Sequence, residues 1–313
     1  MIRAVTLAVV LLSCGACTVP ATGNAQTSAV EPSAVASSAV GTSRAERATA
    51  PTVGRLVDET IPGATSHFPA RPATVYLPPA AIRDPHRRLP VLILLHGTGR
   101  GPSAWESHGQ LGRILAAFAS SHGGAAPVVV MPDINGSPHV DSECVHTQTG
   151  DIEDYLSHDV PDYIAAHLPA TTDHSRWMIA GLSEGATCAS MLALRHPTVF
   201  PTFGDVAGLT RATVGEVDEP ARTVRELFGG SNSAFQQHDP TWLLTHHRYP
   251  SMAGWFTCGI RDPTLRAQNA LIRASRAAGL TVASSTTPYR HSWAEWTQTA
   301  ARMLAWFWRR AHD

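Results

Sequence analysis

The chain contains no lysine: all 24 of its Lys/Arg cations are arginine. Together with abundant alanine, that composition points to a GC-rich coding genome. Charge of either sign is scarce. Charged residues make up 16% of the 313-residue chain, against about 25% in average domains, which excludes a charge-rich disordered chain. The 24 basic and 25 acidic residues leave a formal net charge of −1. Such a balance carries no electrostatic footprint for nucleic acid or for an anionic membrane surface. Cysteine is sparse and odd in number, five in all, so at least one does something other than pair within the chain. There is no H-E-x-x-H, no paired C-x-x-C and no phosphate-binding glycine loop, so neither a metal nor a cofactor is expected. Asp133, Asp141 and Glu143 lie close together but lack a calcium-loop spacing, and read as solvated loop carboxylates. The sixteen histidines are scattered, which suits surface and cap roles.

The first fifty residues are not the fold. Met1–Arg3 supplies a positive charge, Val5–Leu12 is a short apolar run, and Ser13-Cys14 follows. That is the layout of a secretory signal peptide, and the run is too short for a membrane span of about 20 residues. Leu11-Leu12-Ser13-Cys14 also resembles a bacterial lipobox, whose cysteine is acylated after cleavage. Cys17, after Ala16, is the second candidate; ordinary cleavage near Ala25 would discard both. Residues 1–17 are therefore assigned as a lipoprotein-type signal peptide. Residues 18–52, rich in Ala, Ser, Thr, Val and Pro without periodicity, read as a flexible tether. Residues 53–313 then form one domain of about 260 residues, enough for a single large core. The lipid anchor is the one membrane contact expected.

Within that domain, apolar strand-like runs alternate with helix-like segments. Ala73–Leu77, Val91–Leu95, Val128–Met131, Trp177–Ala180, Trp255–Ile260 and Thr281–Thr286 read as strands. Gln110–Ser121, Asp154–His167, Gly185–Arg195, Leu265–Ala278 and Trp293–Arg310 read as helices. Gly279 stands where a helix C-terminal glycine belongs. This alternation predicts βαβ units, with a mostly parallel central sheet and helices on both faces. Ligands bind such sheets beyond the carboxyl ends of the strands.

The chemistry-bearing residues stand at those ends. Gly181-Leu182-Ser183-Glu184-Gly185 is G-x-S-x-G between a strand and a helix, the context of a nucleophile elbow. Its glycines avoid collisions in a sharp turn that exposes the Ser183 hydroxyl at a helix N-terminus. The bland alternative is a glycine-lined turn with an idle serine. Serine needs a base, and His291, just before the last helix, is the candidate; the bland alternative is a helix-start histidine bonded to backbone. His312 lies at the chain end, and His238, His246 and His247 precede the acid candidate, so chain order argues against them. The acid candidate is Asp262, directly after Trp255–Ile260, with Asp205, Asp218 and Asp239 as competitors. Asp262 could instead cap helix 264–278 ahead of Pro263. An oxyanion hole needs two backbone N–H groups. One is expected from Glu184 and the other from Thr98 or Gly99, in the loop after Val91–Leu95. His96 reads as a structural tie for that loop. Trp105 either walls the site or packs against helix 110–121.

These residues resemble a known family. Leu95-His96-Gly97-Thr98-Gly99, Gly181–Gly185 and His291-Ser292-Trp293-Ala294-Glu295-Trp296 are similar to motifs of the putative-esterase family of α/β-hydrolases. That family includes feruloyl esterases, esterase D and the antigen 85 group of secreted mycolyltransferases. Tyr155–Pro161 and His196-Pro197 leading to Phe200 also resemble actinobacterial secreted esterases. The resemblance spans roughly residues 73–310. It implies an α/β-hydrolase fold, a Ser183–Asp262–His291 triad and hydrolysis of a small-molecule or lipid ester. Trp293 joins Trp105 as a candidate substrate-binding residue. In the mycolyltransferases the acid is a glutamate within the helix after the strand. Here that helix carries Arg266-Ala267-Gln268-Asn269-Ala270, which implies hydrolysis over transfer; acyl transfer and a catalytically silent envelope protein are the alternatives. The resemblance also implies a Cys144–Cys188 disulfide, chemically permitted after export. Cys258, in an apolar strand, reads as a buried free thiol.

Overall fold

A computed structural model describes residues 52–147, 150–215 and 218–313. The described residues fall within one compact unit. The segment expected to be a signal peptide, with Cys14 and Cys17, and nearly all of the expected tether lie outside the described residues. No helix among the described residues is long and apolar enough to cross a membrane.

The strands are β1 (Arg55–Glu59), β2 (Ala73–Leu77), β3 (Val91–Leu95), β4 (Val128–Met131), β5 (His146–Thr147), β6 (Gly150–Asp151), β7 (Trp177–Leu182), β8 (Thr202–Val206), β9 (Ala253–Gly259) and β10 (Thr281–Thr287). Eight of them form one sheet in the order β1-β2-β4-β3-β7-β8-β9-β10. β1 and β2 pair antiparallel, as do β2 and β4; every pairing from β4 to β10 is parallel. β5 and β6 form a separate ribbon.

The central strands read as unbroken apolar runs because both faces are covered. In β3, Val91, Ile93 and Leu95 pack into the core on one face, and Leu92 and Leu94 into the core on the other. The principal helices are α1 (Leu111–Ser121), α2 (Val160–His167), α3 (Glu184–Arg195), α4 (Pro220–Leu227), α5 (Leu265–Ala277) and α6 (Trp293–Arg310). α1 and α6 supply Leu115, Met303 and Phe307 to one core. α2, α3 and α5 supply Ile164, Leu192 and Leu271 to the other. The resulting three-layer α/β sandwich is the expected α/β-hydrolase architecture.

Three departures from the sequence reading have physical causes. The helix expected over Asp154–His167 is interrupted by a π-helical stretch, Tyr155–Asp159. It lies just ahead of Pro161, which lacks an N–H and would collide with the carbonyl four residues back. β1 was not foreseen because it is a short edge strand with a half-exposed pattern. β8 was not foreseen because Gly204 and Asp205 interrupt its hydrophobic pattern; it is nonetheless fully buried.

Candidate active site

The backbone at the tip of β7 is tightly packed. A Cβ on Gly181 would collide with the backbone of Gly185, and one on Gly185 with the carbonyl of His96. Only glycine allows β7, α3 and the loop after β3 to come this close. Ser183 itself sits at φ 55°, ψ −124°, a strained conformation for a residue with a side chain. Its N–H is tied to the carbonyl of Val206 at 3.0 Å. The hydroxyl projects from the turn at the start of α3, where the helix dipole and free N–H groups favour negative charge.

Two neighbouring loops complete a row of hydrogen bonds. The Ser183 Oγ and His291 Nε2 are 3.0 Å apart. His291 Nδ1 meets Asp262 Oδ2 at 2.8 Å, which assigns the Nδ1–H tautomer to a ring that accepts at Nε2. The Asp262 side chain is fully buried, whereas His291 keeps 30% exposure. Burial pushes the Asp262 carboxyl up, but the hydrogen bonds from His291 and Thr264 outweigh it and hold it below the ordinary range. Its second oxygen takes the Thr264 N–H and hydroxyl, both at 2.8 Å. The capping role considered for Asp262 is not taken up: the N-cap of α5 is Thr264, and Asp262 holds that residue in place instead of capping the helix.

The competing carboxylates are occupied elsewhere. Asp205 accepts Gln268 Nε2 at 2.6 Å and the Gly208 N–H at 2.9 Å. Asp239 caps the helix Pro240–His246, and Asp218 faces Arg211. His238 bonds Glu153 at 2.9 Å. His312 bonds the Trp308 carbonyl at 2.8 Å.

On the opposite side of Ser183 lies the loop Gly97–Arg100. His96 ties it down: its Nδ1 meets the Gly97 carbonyl at 2.9 Å and its Nε2 accepts the Ile134 N–H at 3.3 Å. The Glu184 side chain is buried and reaches the same region, accepting Asn135 Nδ2 at 3.0 Å. Burial first, then the charge of Asp141, raise its carboxyl to about 8, against bonds from Asn135, Thr98 and the Glu143 backbone. Asp133 and Glu143 are buried, correcting the reading of them as solvated loop carboxylates, while Asp141 is half-buried. Asp133 is buried and paired with Arg71 at 2.6 Å. Burial pushes its acid up, yet His96, Arg71 and Asn135 together hold it far below the ordinary range. Glu143 is buried, and desolvation followed by Glu184 and Asp141 raises it well above the ordinary value. Asp141 has one buried oxygen without a hydrogen-bonding partner, while the other accepts the Gly215 N–H at 2.8 Å.

The cavity at Ser183, about 340 Å³, is lined by Gly97, Thr98, Arg100, Leu182, His291 and the start of α6 at Ser292, Trp293 and Trp296. Trp293 lies in this wall, as expected. Trp105 does not line it: it is 1% exposed, donates to the Leu95 carbonyl at 2.9 Å and meets Trp293 edge-on from behind. Trp296 packs edge-on against His291 at 5.1 Å. No role was read for it from sequence, though it lies three residues after Trp293 on the same helix face. The Cys144–Cys188 disulfide is formed, joining the loop after β4 to α3, the helix that follows Ser183. Cys258 is a buried free thiol.

A parallel sheet with a serine at the tip of β7, linked to a histidine and an aspartate from the next loops, defines an α/β-hydrolase. More narrowly, the chain belongs to the putative-esterase family: residues 69–307 match the family described as "Putative esterase". An uncharacterized protein of Corynebacterium glutamicum is 34% identical over 274 residues, 82% of this chain. The match spans 64% of that relative's length. Among solved structures, a ferulic acid esterase superposes with a TM-score of 0.70 at 19% identity, covering 83% of this chain and 98% of that one. An S-formylglutathione hydrolase of Agrobacterium tumefaciens gives 0.65 at 21% identity, over 82% and 95% of the two chains. MPT51 of Mycobacterium tuberculosis gives 0.59 at 17% identity, over 81% and 97%.

Proposed function

We propose that this chain is a serine esterase that hydrolyses carboxylic esters through an acyl-enzyme on Ser183. The observation that carries the reading is the continuous hydrogen-bonded row from Ser183 through His291 to Asp262. Esterase-family membership supports it. His291 Nε2 takes the hydroxyl proton as Ser183 Oγ attacks the ester carbonyl, and Asp262 stabilises the imidazolium that forms. The tetrahedral oxyanion is held by the N–H of Glu184 with that of Thr98 or Gly99. His291 then protonates the departing alcohol. Water, activated by the same base, releases the acid from Ser183. No metal or cofactor takes part in this scheme.

The substrate is a small-molecule or lipid ester, and the wall of Trp293 and Trp296 suits an apolar group. Hydrolysis of short-chain aryl esters, repeated with a sugar acceptor in excess, tests the reading. Turnover without acylated acceptor is expected; acylated acceptor as the main product would favour transfer, and no turnover at all the silent envelope protein. Export through the N-terminal leader, with acylation at Cys14, belongs to the same reading. The Cys144–Cys188 disulfide supports an oxidising compartment. The mass of the mature N-terminus tests it: a diacylglycerol adduct on Cys14 is expected, and a chain starting near Gln26 contradicts it.

A further inference from the structure

Behind the triad lies a carboxyl that the scheme above does not use. Glu295 is 0% exposed. It occupies the third position of α6, after Ser292-Trp293-Ala294, so Ser292–Glu295 spells a capping box. The box is not made: the Ser292 hydroxyl donates to the Arg290 carbonyl instead, and no side-chain bond caps the helix. Glu295 turns inward. Neither of its oxygens meets a donor with hydrogen-bonding geometry among the described residues. What faces it is Asp262 and the Cys258 thiol, with one ligand atom from each of the three groups lying within 4.8 Å of the others. Asp205, on β8, acts on Cys258 from farther off. Gly259 lacks the room for a side chain here: a Cβ would strike the Tyr289 carbonyl and come within 3.1 Å of Glu295 Oε2.

Two carboxyls facing each other in a dry site cannot both stay ionised. Asp262 is the one held ionised, by His291 and Thr264. We propose that Glu295 is a positioning residue of the triad: a neutral carboxyl that shares its proton with Asp262 and keeps that carboxylate aligned with His291 Nδ1. The inference rests on the Ser183–His291–Asp262 reading. Burial, followed by the charge of Asp262, raises the Glu295 carboxyl to about 8, against a weaker pull from the Gly259 backbone. Above that pH a second negative charge opposes Asp262 and disturbs its alignment. Turnover should then bend downward.

The test compares Glu295→Leu, which removes the proton, with Glu295→Gln, which keeps the shape and supplies a fixed N–H donor. The readout is kcat and KM from pH 5 to 10 on a short-chain aryl ester. Glu295→Leu should lower kcat about tenfold at unchanged KM. Glu295→Gln should restore it and abolish the bend near pH 8. The proposal is overturned if Glu295→Gln follows the wild-type profile at every pH, or if Glu295→Leu keeps full kcat. Should Glu295→Gln fail to fold, Glu295→Leu decides alone. Should Glu295→Leu fail to fold, the profile of Glu295→Gln decides. Ser183→Ala separates the two levels: if it retains turnover, the triad reading itself has failed, whatever Glu295 does.

Discussion

Asp262 divides its work between its two oxygens, one for His291 and one for Thr264. Asp262→Asn keeps the shape but reverses the hydrogen-bonding sense toward Nδ1, favouring the wrong tautomer. A fall in kcat of about 10³- to 10⁴-fold is expected, and stopped-flow or steady-state ester hydrolysis measures it. A loss below tenfold would move the acid to another carboxylate. Cys258 provides a second check at this scale. Burial raises its thiol to about 12, so thiolate is scarce at neutral pH. Cys258, followed on its own peptide by mass spectrometry, should resist thiol reagents for hours in the native protein and be labelled on unfolding. Fast labelling in the native state would contradict the burial described for β9.

At the scale of elements, the tight turn at Ser183 and the disulfide do the positioning. Gly185→Ala should destabilise the fold by about 1–3 kcal/mol as the added methyl overpacks against the His96 carbonyl. A midpoint shift in urea without a change of slope would report it; a neutral result would mean the turn is looser than described. Cys144 and Cys188 are separated by 44 residues, so closing that loop contributes about 4 kcal/mol on a loop-entropy basis. Cys144→Ser/Cys188→Ser should lower Tm accordingly, and an unchanged Tm would argue against the bridge. Much of this architecture was legible in the sequence. The buried central strands announce themselves because both of their faces are apolar, and G-x-S-x-G is a local steric signature. What the sequence hid has a common cause. Glu295, Glu184 and Glu143 look like ordinary loop or helix-start acids, because their burial comes from chain segments distant in sequence. β8 hid for the converse reason: its Asp205 is buried against Gln268, sixty-three residues away, which donates to it alongside the Gly208 N–H.

For the whole molecule, the buried acids set the pH response. Glu184 and Glu295 keep their protons to about 8 and Asp205 to about 7, chiefly through burial. In the unfolded chain these groups ionise near about 4. Between those limits the folded state binds more protons than the unfolded one, so stability falls as pH rises. Asp133, Asp262 and Glu153 have the opposite sign: although burial pushes them up, their hydrogen bonds and cationic partners hold them low. Their stabilisation is present above about pH 4 and is lost as pH falls through their folded values. Tm should therefore peak at mildly acidic pH and decline toward pH 8. A steady rise from pH 5 to 8 would show these carboxyls to be ionised in the folded state.

The central claim is that Ser183 is the nucleophile of an esterase, and covalent trapping tests it most directly. The wild-type chain is incubated with a fluorophosphonate probe, and the adduct is mapped by peptide mass spectrometry. A single stoichiometric adduct on Ser183 is expected, with ester turnover lost in parallel and neither label nor turnover in Ser183→Ala. An adduct on another residue, or undiminished turnover in Ser183→Ala, would contradict the account.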